Sequence, residues 1–167
     1  MSTNPNPAAT DATQLLMNDH REVKAMFQQF KKLAEEDGSD DEKMLLAEQI
    51  CVALTVHTQL EEELLYPAAR ELLTDDEELI DEAYVEHMGA KELIAKIKDA
   101  APDSPLYDAK VTVLGEYIDH HVNEEETELF PKLRKTSLDL AELGERLAQR
   151  KTELMSQTSE TVSGAQA

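Results

Sequence analysis

The chain has 167 residues, enough for one domain around a single core, and its 36 acidic against 16 basic side chains give a formal charge of −20. A surface of that sign repels phosphate backbones and anionic bilayers, so neither nucleic acid nor membrane is expected as a partner. A single cysteine, Cys51, excludes an intrachain disulfide. No apolar run is long enough to span a bilayer, and the polar N-terminus lacks the basic and apolar regions of a signal peptide. The expected location is the cytoplasm.

Residues 1–10 read as a disordered tail. Asp11 caps a first helix whose inner stripe is Leu16, Met17, His20, Val23, Phe27, Phe30 and Leu33, and Gly38 marks its end. Ser39 and Glu42 form a capping box for the second helix. That helix turns Leu46, Ile50, Ala53, Leu54, His57, Glu61 and Leu64 inward, up to a kink or stop at Pro67. Thr74 with Glu77 is the box of a third helix carrying Ile80, Ala83, Tyr84, His87, Ala90, Ile94 and Ile97. Ser104-Pro105 opens a fourth, with Val111, Leu114, Tyr117, Ile118, His121, Glu125 and Leu129 inside and Pro131 at its end. Residues 136–157 give a shorter amphipathic helix with Leu138, Leu140, Leu143, Leu147 and Leu154, lying on the bundle or pairing with a partner. Residues 158–167 read as a second disordered tail.

No segment alternates with period two, so the expected fold is all-α. It is an antiparallel up-down-up-down four-helix bundle over residues 11–135, with a C-terminal fifth helix. Cys51 lies on an apolar run and reads as a core residue.

The chain repeats itself. His57-Thr-Gln-Leu-Glu-Glu-Glu-Leu-Leu-Tyr-Pro67 returns as His121-Val-Asn-Glu-Glu-Glu-Thr-Glu-Leu-Phe-Pro131, and His20 and His87 occupy matching places before each copy. A histidine and a glutamate four apart share one helix face. Every helix of the bundle therefore sends polar groups inward at middle depth: His20, then His57 with Glu61, then His87, then His121 with Glu125. Buried without partners, these would cost several kcal/mol each, on the order of magnitude usual for buried polar groups. A metal removes that cost. Four imidazoles and two carboxylates suit two ions, each carboxylate able to bridge them, with positions left open. A closed structural zinc site usually draws on cysteines this chain lacks. Ferritin-type Glu-x-x-His pairs are absent, since Met17, Leu54, Tyr84, Tyr117 and Ile118 stand three residues before the histidines.

The order His, His-x-x-x-Glu, His, His-x-x-x-Glu, each pair followed by Glu and an aromatic-Pro, resembles the hemerythrin family in its HHE cation-binding branch. The resemblance covers about residues 12–135. It implies two iron ions per chain, oxo- or hydroxo-bridged, with manganese the second choice. His20, His57, His87 and His121 would be terminal ligands, and Glu61 and Glu125 the bridging carboxylates. The sequence departs from the oxygen carriers of that family at Lys91, where they have a fifth histidine, and at Glu125, where they have an aspartate five residues after its histidine. Reversible oxygen storage is thereby disfavoured. Related bacterial proteins sense oxygen or iron, handle nitric oxide or peroxide, or repair iron centres.

Three functions compete. The first is a di-iron protein that binds or reacts with oxygen, peroxide or nitric oxide in oxidative or nitrosative stress or iron homeostasis, enzymatic or not. The second is an iron- or oxygen-responsive module without turnover, working through a homo-oligomer or a protein partner at the C-terminal helix. The third is a bundle whose metal only supports folding. Tyr84 and Tyr117, one turn from His87 and His121, read as core tyrosines with the alternative of reaching the open position. His120 reads as a boundary residue. Glu62, Glu124 and Glu126 flank the ligands, and one of them is placed to take a second imidazole N–H.

Overall fold

The computed structural model describes residues 10–164. Residues 1–9 of the expected N-terminal tail and 165–167 of the C-terminal one lie outside them. Among the described residues there is no strand. The helices are α1 (Ala12–Glu35), α2 (Asp40–Leu60), α3 (Tyr66–Leu72), α4 (Glu77–Lys98), α5 (Tyr107–Glu124), α6 (Phe130–Leu133) and α7 (Leu140–Gly164). A π turn, Glu61–Leu65, joins α2 to α3, and a second, Glu125–Leu129, joins α5 to α6. The described residues thus form five rods. Four form the bundle, with α1 against α2 and α5, and α4 against α2 and α5. The fifth, α7, lies across α1 and α2 and continues through Gly164, past the fraying expected from 158.

Local chemistry starts the first two helices as the sequence suggests. Asp11 accepts from the Gln14 amide at 3.0 Å, and Ser39 with Glu42 makes the full capping box. Three signals read differently. Asp37, with φ of 53°, takes the left-handed turn after α1, while Gly38 follows with an ordinary backbone. Gly38 is needed for space instead, because a Cβ there would meet the Leu33 carbonyl at 3.0 Å. Thr74 caps nothing, since α4 starts from Asp76 without a side-chain cap. Two consecutive turns, Ser104 N–H to Ala101 and Tyr107 N–H to Ser104, delay α5 to Tyr107, so Pro105 precedes the helix rather than opening it.

Neither proline ends its rod. Pro67 and Pro131 stand in the first turn of α3 and α6. Proline has no N–H to give the carbonyl four residues back, and its ring crowds that carbonyl. The π turn just before each proline takes up the misfit. The Tyr66 amide bonds to the Glu61 carbonyl, and the Phe130 amide to that of Glu125, five residues back in each case.

Two apolar clusters fill the interior. One contains Leu16, Leu60, Leu65, Ile80, Leu129, Phe130 and the α7 residues Leu143, Leu147 and Leu154. The other contains Val23, Phe30, Ile50, Leu54, Ile94, Leu114, Ile118 and Val122. On α1, Leu16 belongs to the first and Val23 to the second, with His20 between them. A polar layer is therefore clamped between apolar ones, and each fully buried leucine contributes on the order of 1.5–3 kcal/mol. Cys51 is a buried core residue of the second cluster, and burial pushes its thiol up to about 11. It is an inert packing group.

Candidate metal centre

The polar layer contains all six residues singled out by the repeat. His20, His57, Glu61, His87, His121 and Glu125 are each at most 6% exposed. Each sits where one helical stripe crosses the middle of the bundle. The imidazoles pair by their Nε2 atoms: His20 with His57 at 3.1 Å, and His87 with His121 at 3.1 Å. Glu61 lies between the pairs and offers one oxygen to each. Its Oε1 is 3.0 Å from His57, and its Oε2 is 3.2 Å from His87. Glu125 reaches both pairs with one oxygen, Oε2, at 3.3 Å from His20 and 3.6 Å from His121. Glu61 Oε1 and Glu125 Oε2 are nonetheless buried outside any hydrogen-bonding geometry. Unpaired buried carboxylate oxygens facing convergent imidazole nitrogens are the signature of a set completed by cations. The donors fit two ions sharing Glu61, one beside His20 and His57 and one beside His87 and His121.

The outer nitrogens settle which imidazole atom faces inward. Every Nδ1 meets a carboxylate: His20 with Glu126 at 2.8 Å, His57 with Asp19 at 3.4 Å, His87 with Glu62 at 2.9 Å, and His121 with Glu86 at 2.6 Å. The pattern obeys the internal symmetry. The acid directly before each first-helix histidine (Asp19, Glu86) serves its own half. The acid directly after each bridging candidate (Glu62, Glu126) crosses to the other half. Such partners orient an imidazole and make its free nitrogen a better donor. Glu62 and Glu126 were in view from sequence. Asp19 and Glu86 were not, although an acid immediately before each of two matching histidines was a legible signal. Glu124 instead pairs with His120, which is 67% exposed and sits at the boundary as expected.

Charge in the layer is self-compensating. Burial opposes a charge on His57, but Glu61, with Asp19 and Glu125, outweighs it and pushes the imidazole up to about 10. His121 is held well above its ordinary value against burial by Glu125, Glu61 and Glu86. Glu61 lies well below the usual carboxylate range, because His57 and the other imidazoles overcome its burial.

Sequence reasoning missed Tyr66. It is fully buried, and its hydroxyl donates to Glu125 Oε1 at 2.8 Å and lies 3.1 Å from His87 Nε2. Burial first, and then Glu125 and Glu61, push the phenol well above its ordinary value. The matching residue, Phe130, stacks flat on His20 with ring centroids 5.9 Å apart. Tyr84 touches the edge of the Tyr66 ring rather than the centre, and Tyr117 is half exposed, outside the Val111-Leu114-Ile118-His121 stripe. Lys91 turns outward to both oxygens of Glu62 at 2.6 and 2.7 Å, so it braces the carboxylate that meets His87 and does not enter the layer.

A cavity of about 10 Å³ adjoins the first histidine pair and reaches His121 of the second, between Asp19, Thr58 and the apolar Val23, Leu54, Ile118 and Val122. That is room for one molecule of the size of water. A pocket of equal size beside Glu86 and Glu124 touches the layer only at His121 and Glu125.

Over residues 11–133 the chain matches the family described as hemerythrin HHE cation binding domain. It is 31% identical over 117 residues to a protein of Nostoc sp. (strain PCC 7120) named DNA nickase, covering 70% of this chain but only 31% of that one. It is 24% identical over 123 residues to an uncharacterized Mycobacterium tuberculosis protein, Rv2633c, covering 72% and 74% of the two chains. The fold is similar to the crystal structure of that protein's homolog from Mycobacterium kansasii, a hemerythrin HHE cation binding domain-containing protein. The TM-score is 0.74 at 21% identity, over 91% of each chain. The chain belongs to the hemerythrin HHE cation-binding domain family.

Proposed function

We propose that this protein holds two iron ions through His20, His57, Glu61, His87, His121 and Glu125, and binds or reacts with a small oxidant: oxygen, peroxide or nitric oxide. Its setting would be oxidative or nitrosative stress or iron homeostasis in the cytoplasm. The observation that carries this reading is the unpaired pair of buried oxygens, Glu61 Oε1 and Glu125 Oε2, facing the Nε2 atoms of His20, His57 and His121. Iron in such a set supplies a redox couple and open coordination positions that nitrogen and oxygen ligands leave free. The chain's own residues do the rest. Glu61 spans the two imidazole pairs, four outer carboxylates fix the imidazoles, and two apolar clusters keep bulk water from the layer. The cavity of about 10 Å³ beside His20, His57 and His121 has room for one molecule of the size of water and is too small for an organic substrate.

The test is metal content with the visible spectrum beside it. Two irons per chain, and bands that shift with oxygen, peroxide or nitric oxide, are expected. One zinc, or no uptake after anaerobic iron loading, would defeat the reading.

A second reading, an iron- or oxygen-responsive module, is favoured by one chain of contacts. Lys151 on α7 donates to Asp19 at 2.6 Å, and Asp19 meets His57. Metal arriving at His57 is thereby linked to the seating of α7. Protection of α7 from protease on iron loading would support it. DNA nicking is not carried over from the Nostoc protein, because this chain spans 31% of that protein and its charge of −20 opposes a phosphate backbone.

A further inference from the structure

The His-x-x-x-Glu motif of the second copy occurs twice, in registers one residue apart. His121 with Glu125 points into the polar layer, while His120 with Glu124 points toward the surface. The equivalent positions of the first copy are Val56 and Leu60, buried with the α7 leucines. The outer pair meets a third group, Glu86 of α4. His120 Nε2 lies 3.2 Å from Glu124 Oε1 and 3.3 Å from Glu86 Oε1, and the donor atoms of the three all fall within 4.8 Å of one another. Bonds of about 2.0–2.2 Å to nitrogen and oxygen put neighbouring donors on one ion about 3–3.5 Å apart. Among the described residues no lysine or arginine pairs with Glu86 or Glu124, and Glu82 and Glu128 add negative charge beside Glu124. Behind this group lies the second cavity of about 10 Å³, with Glu86 and Glu124 on its outer side and His121 and Glu125 on its inner side. Glu125 keeps one buried oxygen, Oε2, without a hydrogen-bond partner. Glu86 spans the two levels, its Oε1 toward His120 and its Oε2 at 2.6 Å from His121 Nδ1.

We propose that Glu86, His120 and Glu124 bind a divalent transition-metal ion at the surface, and that ions pass from there through the cavity into the buried layer. One imidazole nitrogen with two carboxylate oxygens favours iron(II), cobalt(II) or zinc over calcium and magnesium. Three donors on an exposed face leave the other positions to water, so the ion is held loosely and can move on. Acidic charge that no neighbouring cation offsets concentrates cations at this mouth. The cavity has room for one body of the size of water, which an ion shedding its water does not exceed. The next carboxylate inward is Glu125, with its free oxygen. The cavity beside His20 and His57 has no such mouth, because its one acid, Asp19, is buried and already held by Lys151. The surface site stands on its own geometry, and its part as an entrance rests on the reading of the buried layer as a metal centre.

The experiment compares the full chain with its His120→Gln, Glu124→Gln and Glu82→Gln variants, leaving Glu86 intact because it holds His121. Each metal-free protein is first titrated with cobalt(II) and followed by proton NMR. The parent should show hyperfine-shifted ring signals of His120, assigned by their loss in His120→Gln. They should weaken in Glu124→Gln and persist in Glu82→Gln, which removes a charge but no donor. Iron(II) is then added anaerobically and its uptake timed by chelator quench. His120→Gln and Glu124→Gln should fill about tenfold more slowly than the parent, the loss of an attracting mouth, and should reach the same final iron content. Glu82→Gln should fill at nearly the parent's rate. A parent without shifted His120 signals overturns the site. Equal uptake rates in the parent and both donor variants overturn the entrance, as does equal slowing in Glu82→Gln, which would make the effect one of diffuse charge. A lower final iron content in the donor variants also overturns it, by making them part of the buried centre. If the parent takes up no iron, the reading of the centre falls and the entrance with it, while the cobalt signals of His120 decide the surface site by themselves.

Discussion

The two halves of the chain build the same frame and finish it differently. Half one is α1 and α2 with the first π turn; half two is α4 and α5 with the second. Both supply one histidine, one histidine-glutamate pair, one acid before and one acid after. Yet α7 covers only the first half, where Lys151 binds Asp19 and Arg150 grips Glu63 of the π turn with two bonds, at 2.7 and 3.1 Å. The equivalent face of the second half stays bare, with Val85, Met88 and Tyr117 between 51% and 68% exposed. Glu86, the counterpart of Asp19, meets only the exposed His120 on its outer side. The lesson is that the symmetric part of the frame is the part that faces the buried polar layer, while what lies outside it differentiates the two.

The largest test of that comparison sets Glu61 against Glu125. Glu61 gives an oxygen to each imidazole pair, whereas Glu125 reaches both with one. Glu61→Ala should lose both irons on dialysis and cost about 3–5 kcal/mol, the usual effect of leaving buried charges unpaired. Glu125→Ala should keep measurable iron. Equal losses by metal analysis and denaturation would make the two carboxylates equivalent.

Metal removal comes next. At free metal a thousand times the dissociation constant, binding adds about 4 kcal/mol, so chelation should lower Tm by roughly 8–16 °C for a chain of this size. The pH response should differ between the two forms, falling with rising pH in the metal-free protein and staying flat through His57 in the metal-loaded one. In the metal-free protein His57 has a raised folded value of about 10. Its stabilisation is complete below the unfolded value near 6.5 and is lost as pH rises through 10. Metal must displace that proton, so metal affinity should increase with pH across the same window, by about tenfold per unit for each proton displaced. Calorimetry of both forms from pH 6.5 to 9 checks this. Parallel trends would remove His57 as a ligand.

The covered and bare faces can be compared directly. Leu147 is fully buried under α7, and Leu147→Ala should cost about 2–5 kcal/mol. Met88→Ala on the bare face should stay within about 0.5 kcal/mol. Chemical denaturation at fixed metal separates them, and a large cost at Met88 would reveal a partner on that face. The smallest effect is expected at the outer ion pairs. Lys151→Ala should cost about 0.5–1 kcal/mol, whereas His120→Ala should be silent.

The six side chains of the polar layer were legible as buried neighbours because helical period is a strict ruler. A histidine on a stripe of Leu16, Val23 and Phe30, or a glutamate four beyond His57, can only point inward. The fifth helix was legible from Leu143, Leu147 and Leu154 for the same reason. That ruler fails where the helix changes its own pitch. Counted at 100° per residue, Tyr66 falls away from the core side of its helix, and only the π turn before Pro67 restores it. Tyr117 failed in the opposite sense. It is one turn from His121, but the buried stripe runs along Ile118 and Val122 on the other flank. Helix starts at Thr74 and Ser104 failed because capping residues compete with local turns, which these loops supply.

The π turns also constrain how this protein can change over time. Each amounts to one residue of surplus length hidden inside an otherwise regular rod, and the surplus sits between a buried glutamate and its aromatic. Substitutions at Glu63, Leu64, Thr127 or Glu128 alter a side chain and leave that spacing alone. Loss of one codon in either stretch would return the rod to ordinary pitch, keeping Tyr66 or Phe130 on its side of the rod but setting the proline ring that follows against the carbonyl four residues back. Two five-residue windows, Glu61–Leu65 and Glu125–Leu129, should therefore tolerate varied spelling across descendants of this gene but not a different count of letters.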